Sequence, residues 1–336
     1  MKFSFCIPTY NRSEYLRQSI ESIISESRRN PGYEFEICVS DNASTDDTLE
    51  MIHALQAVSS PITIIYSRVA VNAGPDRNYL RAVSMASGDF CWLFGSDDTL
   101  PEGSMDVVLQ ALDNNEVDIC VVNRRNCDKE MNFLNYGYWL DPVQGTHTYD
   151  TAIDKDLLSY LSSAQSLGAV FSYLSSIIVS RKRWNSVDFD EAFIGTAYSH
   201  VYILLNVVDE GARLKYLADH LVNSRGGNDS FAIEGLLKRY LLDYRGYLEL
   251  VNSIFVNRAN CRDAVLMILR KEHRGRRFYK IRALAQREHL WPEVRDLMRR
   301  CGHTDNELDK TNWAGWLAIP LLTLFRIREL VRTIFR

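Results

Sequence analysis

The sequence predicts an α/β protein with a mainly parallel sheet, helices on both faces, and a helical region after it. Three observations carry this. Short apolar runs alternate with helix-period segments four times in the first part of the chain, each run ends on a polar cluster, and residues 233–300 keep apolar spacings of three and four.

Phe3 to Ile7 reads as the first strand, closed by Pro8, and Ser13 to Ser27 as a helix with Tyr15, Leu16, Ile20, Ile23 and Ile24 at helical spacing. Phe35 to Val39 is the second strand; Ser44 or Thr45 can cap the helix through Met51, Ile52 and Leu55. Ile62 to Tyr66 is the third strand, followed by Asn72-Ala73-Gly74-Pro75 and a helix from Asp76 to Ala86. Phe90 to Phe94 has the length and aromatic content of a buried strand, and Gly95-Ser96-Asp97-Asp98 reads as the chain leaving the sheet at its carboxyl edge. Ligands of open α/β sheets bind at that edge. Adjacent carboxylates repel, so a cleft that keeps both ionised supplies a cation, and hard oxygen ligands suit Mg²⁺ or Mn²⁺ held with substrate phosphates. The plainer reading of Asp97 to Glu102 is a helix cap.

At 336 residues, 46% hydrophobic and 24% charged, the chain has the composition of a soluble globular protein with a sizeable core. The net charge of -4 conceals an asymmetry: residues 251–336 hold 18 Lys/Arg against 9 Asp/Glu, leaving 21 against 34 for residues 1–250. Any attraction to phosphate-rich surfaces belongs to the basic tail. The seven cysteines are scattered without a CxxC and several lie in apolar runs, which points to reduced core thiols and a cytosolic setting. No basic region followed by a long apolar stretch opens the chain, so no signal peptide is expected.

The strands deliver Pro8-Thr9-Tyr10-Asn11-Arg12, Ser40-Asp41-Asn42, Asn72 to Asn78 and Ser96-Asp97-Asp98 to one edge. An aromatic ring, acceptors, donors, two arginines and a carboxylate pair are what a nucleotide diphosphate with a divalent ion requires. A GxGxxG after the first strand and a GxxxxGK[ST] are both missing, which weakens dinucleotide and P-loop readings. Ile7 to Arg12, Ser40 to Asp46, Asn72-Ala73-Gly74 with Arg77-Asn78, and Gly88-Asp89 through Asp98 resemble, in order and spacing, the successive motifs of the family 2 glycosyltransferases of the Rossmann-like GT-A fold. The resemblance covers residues 1–230.

It implies a nucleotide-sugar donor site. Pro8 and Tyr10 would line the nucleoside pocket, Asp41 would hydrogen-bond the base, and Arg77 would lie near base and diphosphate. Thr9, Arg12, Asn72 and Gly74 come from the same motifs. Asp98 is implied as the metal ligand, with Asp97 reaching the ribose or the ion. Many members have an Asp where this chain has Gly95, so tightness and choice of ion stay open. Asp41 could instead serve a helix-entry turn, Arg77 a solvated helix face, and Tyr10 simple packing.

Further on, Val117 to Asn123 reads as a strand, and Asn126 to Tyr149 as a functional loop or small hairpin. Its aromatics (Phe133, Tyr136, Tyr138, Trp139, His147, Tyr149) suit either sugar stacking at an acceptor site or a satellite core. Leu174 to Val179 is another expected strand. Inverting members of the family carry a general base at the start of the next helix, usually in a Glu-Asp pair. Here Ala197-Tyr198-Ser199-His200 takes that place, so His200 is the first candidate base, with Asp190 and Glu191 the nearest carboxylates. Arg225 to Ser230, after an expected strand at Leu214 to Leu217, resembles the segment that closes over the diphosphate, with Arg225 as anion contact.

The cluster Arg270 to Arg277 lacks aromatic interleaving and reads as a solvated face, so no nucleic acid partner is expected. Trp313 to Phe325 is apolar but too short to span a bilayer, and Arg326, Arg328, Arg332 and Arg336 follow. This pattern fits a helix lying on an anionic membrane, or one docked on the core or a second copy. The expected organisation is a transferase domain at 1–230, a helical region at 231–300 and an amphipathic tail at 301–336, peripheral on the cytoplasmic face of the cell membrane. Within the family, Phe94 to Asp98 and Gly195 to His200 look most like bacterial O-antigen transferases of the abequosyltransferase type. That implies a CDP-linked dideoxyhexose donor and a polyprenyl-linked oligosaccharide acceptor. A UDP- or dTDP-sugar donor, a nucleotidyltransferase and a non-catalytic nucleotide-sugar-binding protein are the rivals.

Overall fold

A computed structural model of the chain describes residues 1–57, 62–113, 116–228 and 235–312. It divides into an N-terminal unit, Met1–Asn228, and a C-terminal unit, Asp229–Arg336.

In the N-terminal unit the order is β1 (Lys2–Thr9), α1 (Ser13–Arg29), β2 (Glu34–Asp41), α2 (Thr48–Ala57), β3 (Thr63–Arg68), α3 (Gly74–Ser84), β4 (Phe90–Leu93) and α4 (Ser104–Leu112). There follow β5 (Ile119–Cys127), β6 (Phe133–Gly137), β7 (His147–Asp150), α5 (Asp154–Ser163), β8 (Ile177–Ser180), α6 (Arg181–Trp184), α7 (Ser199–Asp209) and β9 (Arg213–Arg225). The described strands form one nine-stranded sheet in the order β3-β2-β1-β4-β8-β5-β9-β7, with β6 beside β5.

From β3 to β4 every ladder is parallel, as the alternation of strand and helix requires. Beyond β4 the sheet is mixed: β8 runs antiparallel to both β4 and β5, while β9 is parallel to β5. The parallel expectation therefore describes half of the sheet. Residues 126–149 form strands, β6 antiparallel to β5 and β7 antiparallel to β9. Pro8 does not close β1, which pairs with β2 through Thr9 and Asp41.

Period-two alternation puts Phe3, Phe5 and Ile7 of β1 with Phe35, Ile37 and Val39 of β2 into one core, against Leu16, Ile20 and Ile23 of α1 and Met105 and Val108 of α4. Trp92 of β4 stacks on Phe5 at 5.4 Å and meets Phe94 edge-on at 5.8 Å. Helix α3 packs against β1, β2 and α7, and its buried Ala82 and Val83 lie outside that core, so helices cover both faces. Ser4 alternates with the core residues of β1 and donates to Glu36 at 2.6 Å. Burial pushes the Glu36 carboxyl up, but hydrogen bonds from Lys2, Ser4 and Ser87 outweigh it and hold the pKa at about 2. All seven cysteines are buried and unbridged.

The C-terminal unit is helical in its described part: α8 (Leu236–Ile254), α9 (Ala259–Glu272), α10 (Arg276–Arg287), α11 (Trp291–Arg300) and α12 (Asp305–Asp309). Of the positions at apolar spacing, Leu237, Tyr240 and Tyr244 of α8 and Val265, Leu266, Ile268 and Leu269 of α9 are buried, and Leu236 and Leu241 are half-buried. In the basic cluster Arg270 pairs with Glu307 and Arg277 with Glu272. No helix among the described residues is long and apolar enough to cross a membrane. The apolar and arginine-rich segment from Trp313 to Arg336 lies outside the described residues.

Candidate active site

Loops at the carboxyl ends of β1, β2 and β3 are bonded into one floor. Asn11 donates its backbone N–H to Ser44 Oγ (2.9 Å) and accepts from the Thr45 N–H at Oδ1 (2.7 Å). Asn42 donates to Asn72 Oδ1 (2.8 Å) and to the Gly74 carbonyl (3.0 Å), and Asn78 donates to the Thr9 carbonyl (3.2 Å). Asp46 accepts the Ser13 N–H at 2.9 Å, so a carboxylate from the β2–α2 loop caps α1. Asn11 (φ 51°) and Ala43 (φ 66°) hold left-handed backbone here, at a cost of about 1–3 kcal/mol each. Strain kept in neighbouring loops is a mark of functional sites.

Tyr10 stands at the rim, 44% exposed, with Pro8 half-buried and Thr9 buried beside it. Asp41 has no exposed surface: its carboxylate accepts from the Ser44 N–H (2.9 Å) and the Tyr66 O–H (2.5 Å), with Arg68 Nε at 3.9 Å. In this conformation it braces the floor, and a base can reach it only if Tyr66 turns away. Arg77, on the first turn of α3, is exposed and pairs with Glu191 at 2.6 Å.

The acidic pair lies at the end of β4. Asp98 is 4% exposed; its Oδ2 accepts from Tyr173 Oη (2.6 Å) and Ser175 Oγ (2.5 Å), and its Oδ1 from the Arg225 N–H (3.0 Å). Burial, then the neighbouring Asp97, push its carboxyl up to about 7 against those hydrogen bonds. Asp97 accepts from Arg12 at 2.6 Å and from Asn228 Nδ2 at 2.8 Å. Gly95 leaves room for this packing, since a Cβ there would lie 3.0 Å from Asp98 Oδ2 and 3.1 Å from Ser175 Oγ.

Arg225 takes a different place from the one expected. It ends β9, is 8% exposed, and commits its guanidinium to the Asp97 carbonyl, the Lys129 carbonyl and Gln18, with Tyr15 beneath it. In this structure a residue so anchored braces the acidic pair.

His200 also departs from expectation. It is 2% exposed on the first turn of α7, with Nε2 3.0 Å from the Phe171 carbonyl, so Nε2 carries the proton, and Nδ1 is buried without a hydrogen-bond partner among the described residues. Burial lowers its pKa to about 4, which Asp76 and the carbonyl oppose only in part. It cannot meet a substrate hydroxyl in this arrangement. Asp190 and Glu191 are exposed in front of α7, and Asp190 accepts the Ala192 N–H at 2.9 Å.

The buried imidazole has a consequence for stability. The unfolded chain takes up this proton near pH 6.5 and the folded chain near pH 4, so the contribution is complete above 6.5 and is lost as pH falls through that window, about 3 kcal/mol in all. The melting temperature should fall between pH 6.5 and 4, and His200→Asn should flatten that slope while leaving kcat within a few-fold. A collapse of turnover without loss of stability would restore His200 to the chemistry.

The structure thus gathers Thr9, Asn72, Gly74 and Asp41 into one floor, Arg12, Asp97, Asp98 and Arg225 into one cluster, and Arg77 with Glu191. It adds residues that the motifs did not contain. Tyr173 and Ser175 hold Asp98, and Asp76 accepts the N–H groups of Gly195 (2.8 Å), Ala197 (2.9 Å) and Ser199 (2.9 Å), tying α3 to the start of α7. Among the described residues no group of three or more His, Cys, Asp or Glu side chains is placed to hold a metal ion.

A loop floor beside an acidic pair, at the carboxyl edge of such a sheet, fits the frame of a nucleotide-sugar transferase, and sequence comparison gives it a family. The model for glycosyl transferase family 2 matches residues 4–169. The chain is 42% identical over 275 residues, 81% of each protein, to the abequosyltransferase RfbV of Salmonella typhimurium. It belongs to family 2 of the glycosyltransferases. A 26% identical relative over 55% of both chains is a GalNAc(5)-diNAcBac-PP-undecaprenol β-1,3-glucosyltransferase of Campylobacter jejuni. Among solved structures, Staphylococcus aureus TarS in complex with UDP-GlcNAc superposes with a TM-score of 0.59 at 15% identity, over 81% of this chain and 73% of that one. A Pyrobaculum calidifontis mannosyltransferase in complex with GDP-Man and Mn²⁺ gives 0.54 at 13% identity, over 96% and 86%. These two likenesses establish the shared fold.

Proposed function

We propose that the chain transfers a dideoxyhexose such as abequose from a CDP-sugar to a hydroxyl of a polyprenyl-linked oligosaccharide during O-antigen assembly. The observation that carries this is the 42% identity to an abequosyltransferase across 81% of both chains. The undecaprenol-linked substrate named for the Campylobacter relative supports a lipid-linked acceptor.

In this reading the nucleoside lies over the floor beside Pro8, Thr9 and Tyr10, and the diphosphate points to Asp97 and Asp98. The acidic pair fits a divalent ion chemically: Asp98 and its neighbour Asp97 offer hard carboxylate oxygens at the end of β4, the kind of ligand that Mg²⁺ and Mn²⁺ take. Mg²⁺ or Mn²⁺ held by Asp98 with Asp97, and otherwise by phosphate oxygens, would supply charge neutralisation for the leaving group. Glu191, the exposed carboxylate within reach of Arg77, takes the acceptor proton, with Asp190 beside it as the second candidate. The exposed rings of Phe133, Tyr136 and Tyr138 offer stacking surface to acceptor sugars, whereas Trp139 and Tyr149 are buried.

The test is calorimetric titration with CDP, UDP, GDP and dTDP, each with and without Mn²⁺. Metal-dependent binding that favours CDP supports this reading, preference for UDP or dTDP moves the donor within the family, and binding of none overturns it. Peripheral attachment to the cytoplasmic membrane rests on the sequence of Trp313 to Arg336. Deleting that segment should release the protein from anionic liposomes, and unchanged sedimentation would end the membrane claim.

A further inference from the structure

We infer that Asp76 is a positioning residue for the transfer: it fixes the segment carrying the carboxylate base at a set place beside the donor floor. The inference rests on the role proposed for Glu191 above. Asp76 lies on the first turn of α3 and is 2% exposed. Its carboxylate takes three backbone N–H groups of one turn, Gly195 (2.8 Å) and Ala197 (2.9 Å) on Oδ2 and Ser199 (2.9 Å) on Oδ1. Its own carbonyl accepts from Ser199 Oγ at 3.1 Å.

The turn is shaped for a carboxylate. Gly195 (φ 94°) and Ala197 (φ 65°) hold left-handed backbone, and the N–H groups of alternate residues converge on one anion. An alanine keeps that conformation only where its surroundings over-determine it, and Asp76 is what meets it here. Ser199 opens α7, so the carboxylate also lies at a helix N-terminus, where negative charge is favoured.

From this turn the bonds run back to Glu191 in sequence. The Tyr198 N–H donates to Thr196 Oγ1 (3.1 Å), and Thr196 Oγ1 donates to the Phe193 carbonyl (2.8 Å). The N–H groups of Phe193 and Ile194 donate to the Asp190 and Glu191 carbonyls, both at 3.1 Å. Phe193 is buried with its ring centre 4.6 Å from that of Tyr202 on α7, and Phe189 meets the same ring at 5.4 Å. Residues 189–199 are thus one bonded piece. Arg77 pairs with Glu191 at 2.6 Å, but the two side chains are 51% and 65% exposed, and exposed pairs hold little. The buried anchor is Asp76. The same stretch of chain is tied to the donor floor, since Asn42 holds Asn72 and Gly74 and Asn78 donates to the Thr9 carbonyl. One helical turn therefore spaces base from donor.

Such spacing matters to the chemistry. In the transfer the acceptor oxygen bonds to the anomeric carbon, and its proton passes to Glu191. The bond from that carbon to the phosphate oxygen breaks, with the electron pair left on the oxygen. A displacement of about 1 Å in such an alignment costs about 10²-fold in rate.

The test is a double-mutant cycle of Asp76→Asn and Glu191→Gln, with CDP titration of each variant. Turnover is read as CDP release from CDP-abequose with a polyprenyl-linked oligosaccharide as acceptor. Asparagine keeps the shape of Asp76 but turns an amide NH₂ on at least one of the three N–H groups. Asp76→Asn should lower kcat by about 10- to 100-fold and leave CDP affinity within about twofold, which also shows that the variant is folded. In the Glu191→Gln background the same change should cost nothing further, because the group that Asp76 positions is already gone. Gly195→Ala offers a second probe, at an exposed site with open space for the methyl but a φ of 94°, and should give the same signature in smaller measure. Losses that add in full across the cycle, an unchanged kcat in Asp76→Asn, or a fall in CDP affinity matching that in kcat would overturn the positioning role and leave the proposed transfer standing. A wild-type rate in Glu191→Gln would remove Glu191 as the base, and this inference with it. No CDP release by the wild type would overturn the donor reading on which both rest.

Discussion

Replacing Asp98 with Asn is expected to lower kcat/KM by about 10³-fold while leaving the melting temperature unchanged or higher. In the proposed reading the activity term follows from losing the negative charge that would face the leaving group, where removing one preorganised electrostatic contact costs on the order of 10²–10³. The stability term has the opposite sign. Asp98 is 4% exposed, and burial together with Asp97 pushes its pKa up to about 7, so its ionised form is carried at a cost to folding. Asn keeps the shape, can accept from the Arg225 N–H, and can donate to Ser175 or Tyr173. Alanine is the poorer probe because it leaves three donors without an acceptor. Initial rates and calorimetry on the same preparation separate the two effects. A near-wild-type rate would remove the acidic pair from the chemistry, and a parallel fall in rate and melting temperature would reduce Asp98 to a structural carboxylate.

Gly168→Ala should destabilise the N-terminal unit by about 3 kcal/mol, an overpacking cost at the upper end of the usual range. Gly168 lies in the turn Leu167–Val170, and a Cβ there would lie 2.0 Å from Trp139 Cζ3 and 2.1 Å from Cε3. The ring has nowhere to go, since its Nε1–H is spent on Val122 and Ser176 and Arg124 lies over its face. Trp139→Leu should relieve the clash, so the double variant should lose less than the sum of the single ones, a coupling that urea unfolding measures directly. Strict additivity would show that the turn yields instead of the ring.

The site was legible where it follows directly from a strand. Asp41, Asp97 and Asp98 come two to four residues past the end of an apolar run, and such a boundary is visible in one dimension. What holds Asp98 was not legible: Tyr173 and Ser175 lie 75 and 77 residues away, and only the antiparallel insertion of β8 between β4 and β5 brings them home. The same insertion explains why the run of parallel ladders that starts at β3 breaks at β4. His200 was misjudged for a different reason. It shares a helical face with Ile203, Leu204 and Val207, all buried, and that three-four spacing marked it as interior before its titration range could recommend it as a base. Arg225 was read as the start of a closing segment, and the expected strand stopped at Leu217, whereas β9 is thirteen residues long and carries Arg225 into the sheet.

The thiols offer a clock. Cys6, Cys38, Cys91, Cys120 and Cys127 belong to the N-terminal unit and Cys261 and Cys301 to the C-terminal one, and all are buried. A thiol-specific reagent can label them only when the chain opens, so the number of groups released in each phase reports which unit has opened and how fast. Five against two is a ratio that a colorimetric assay resolves without a mutation or an attached dye. Labelling kinetics with and without nucleotide would then measure how far a donor slows the opening of the N-terminal unit, with the two C-terminal thiols as the internal reference.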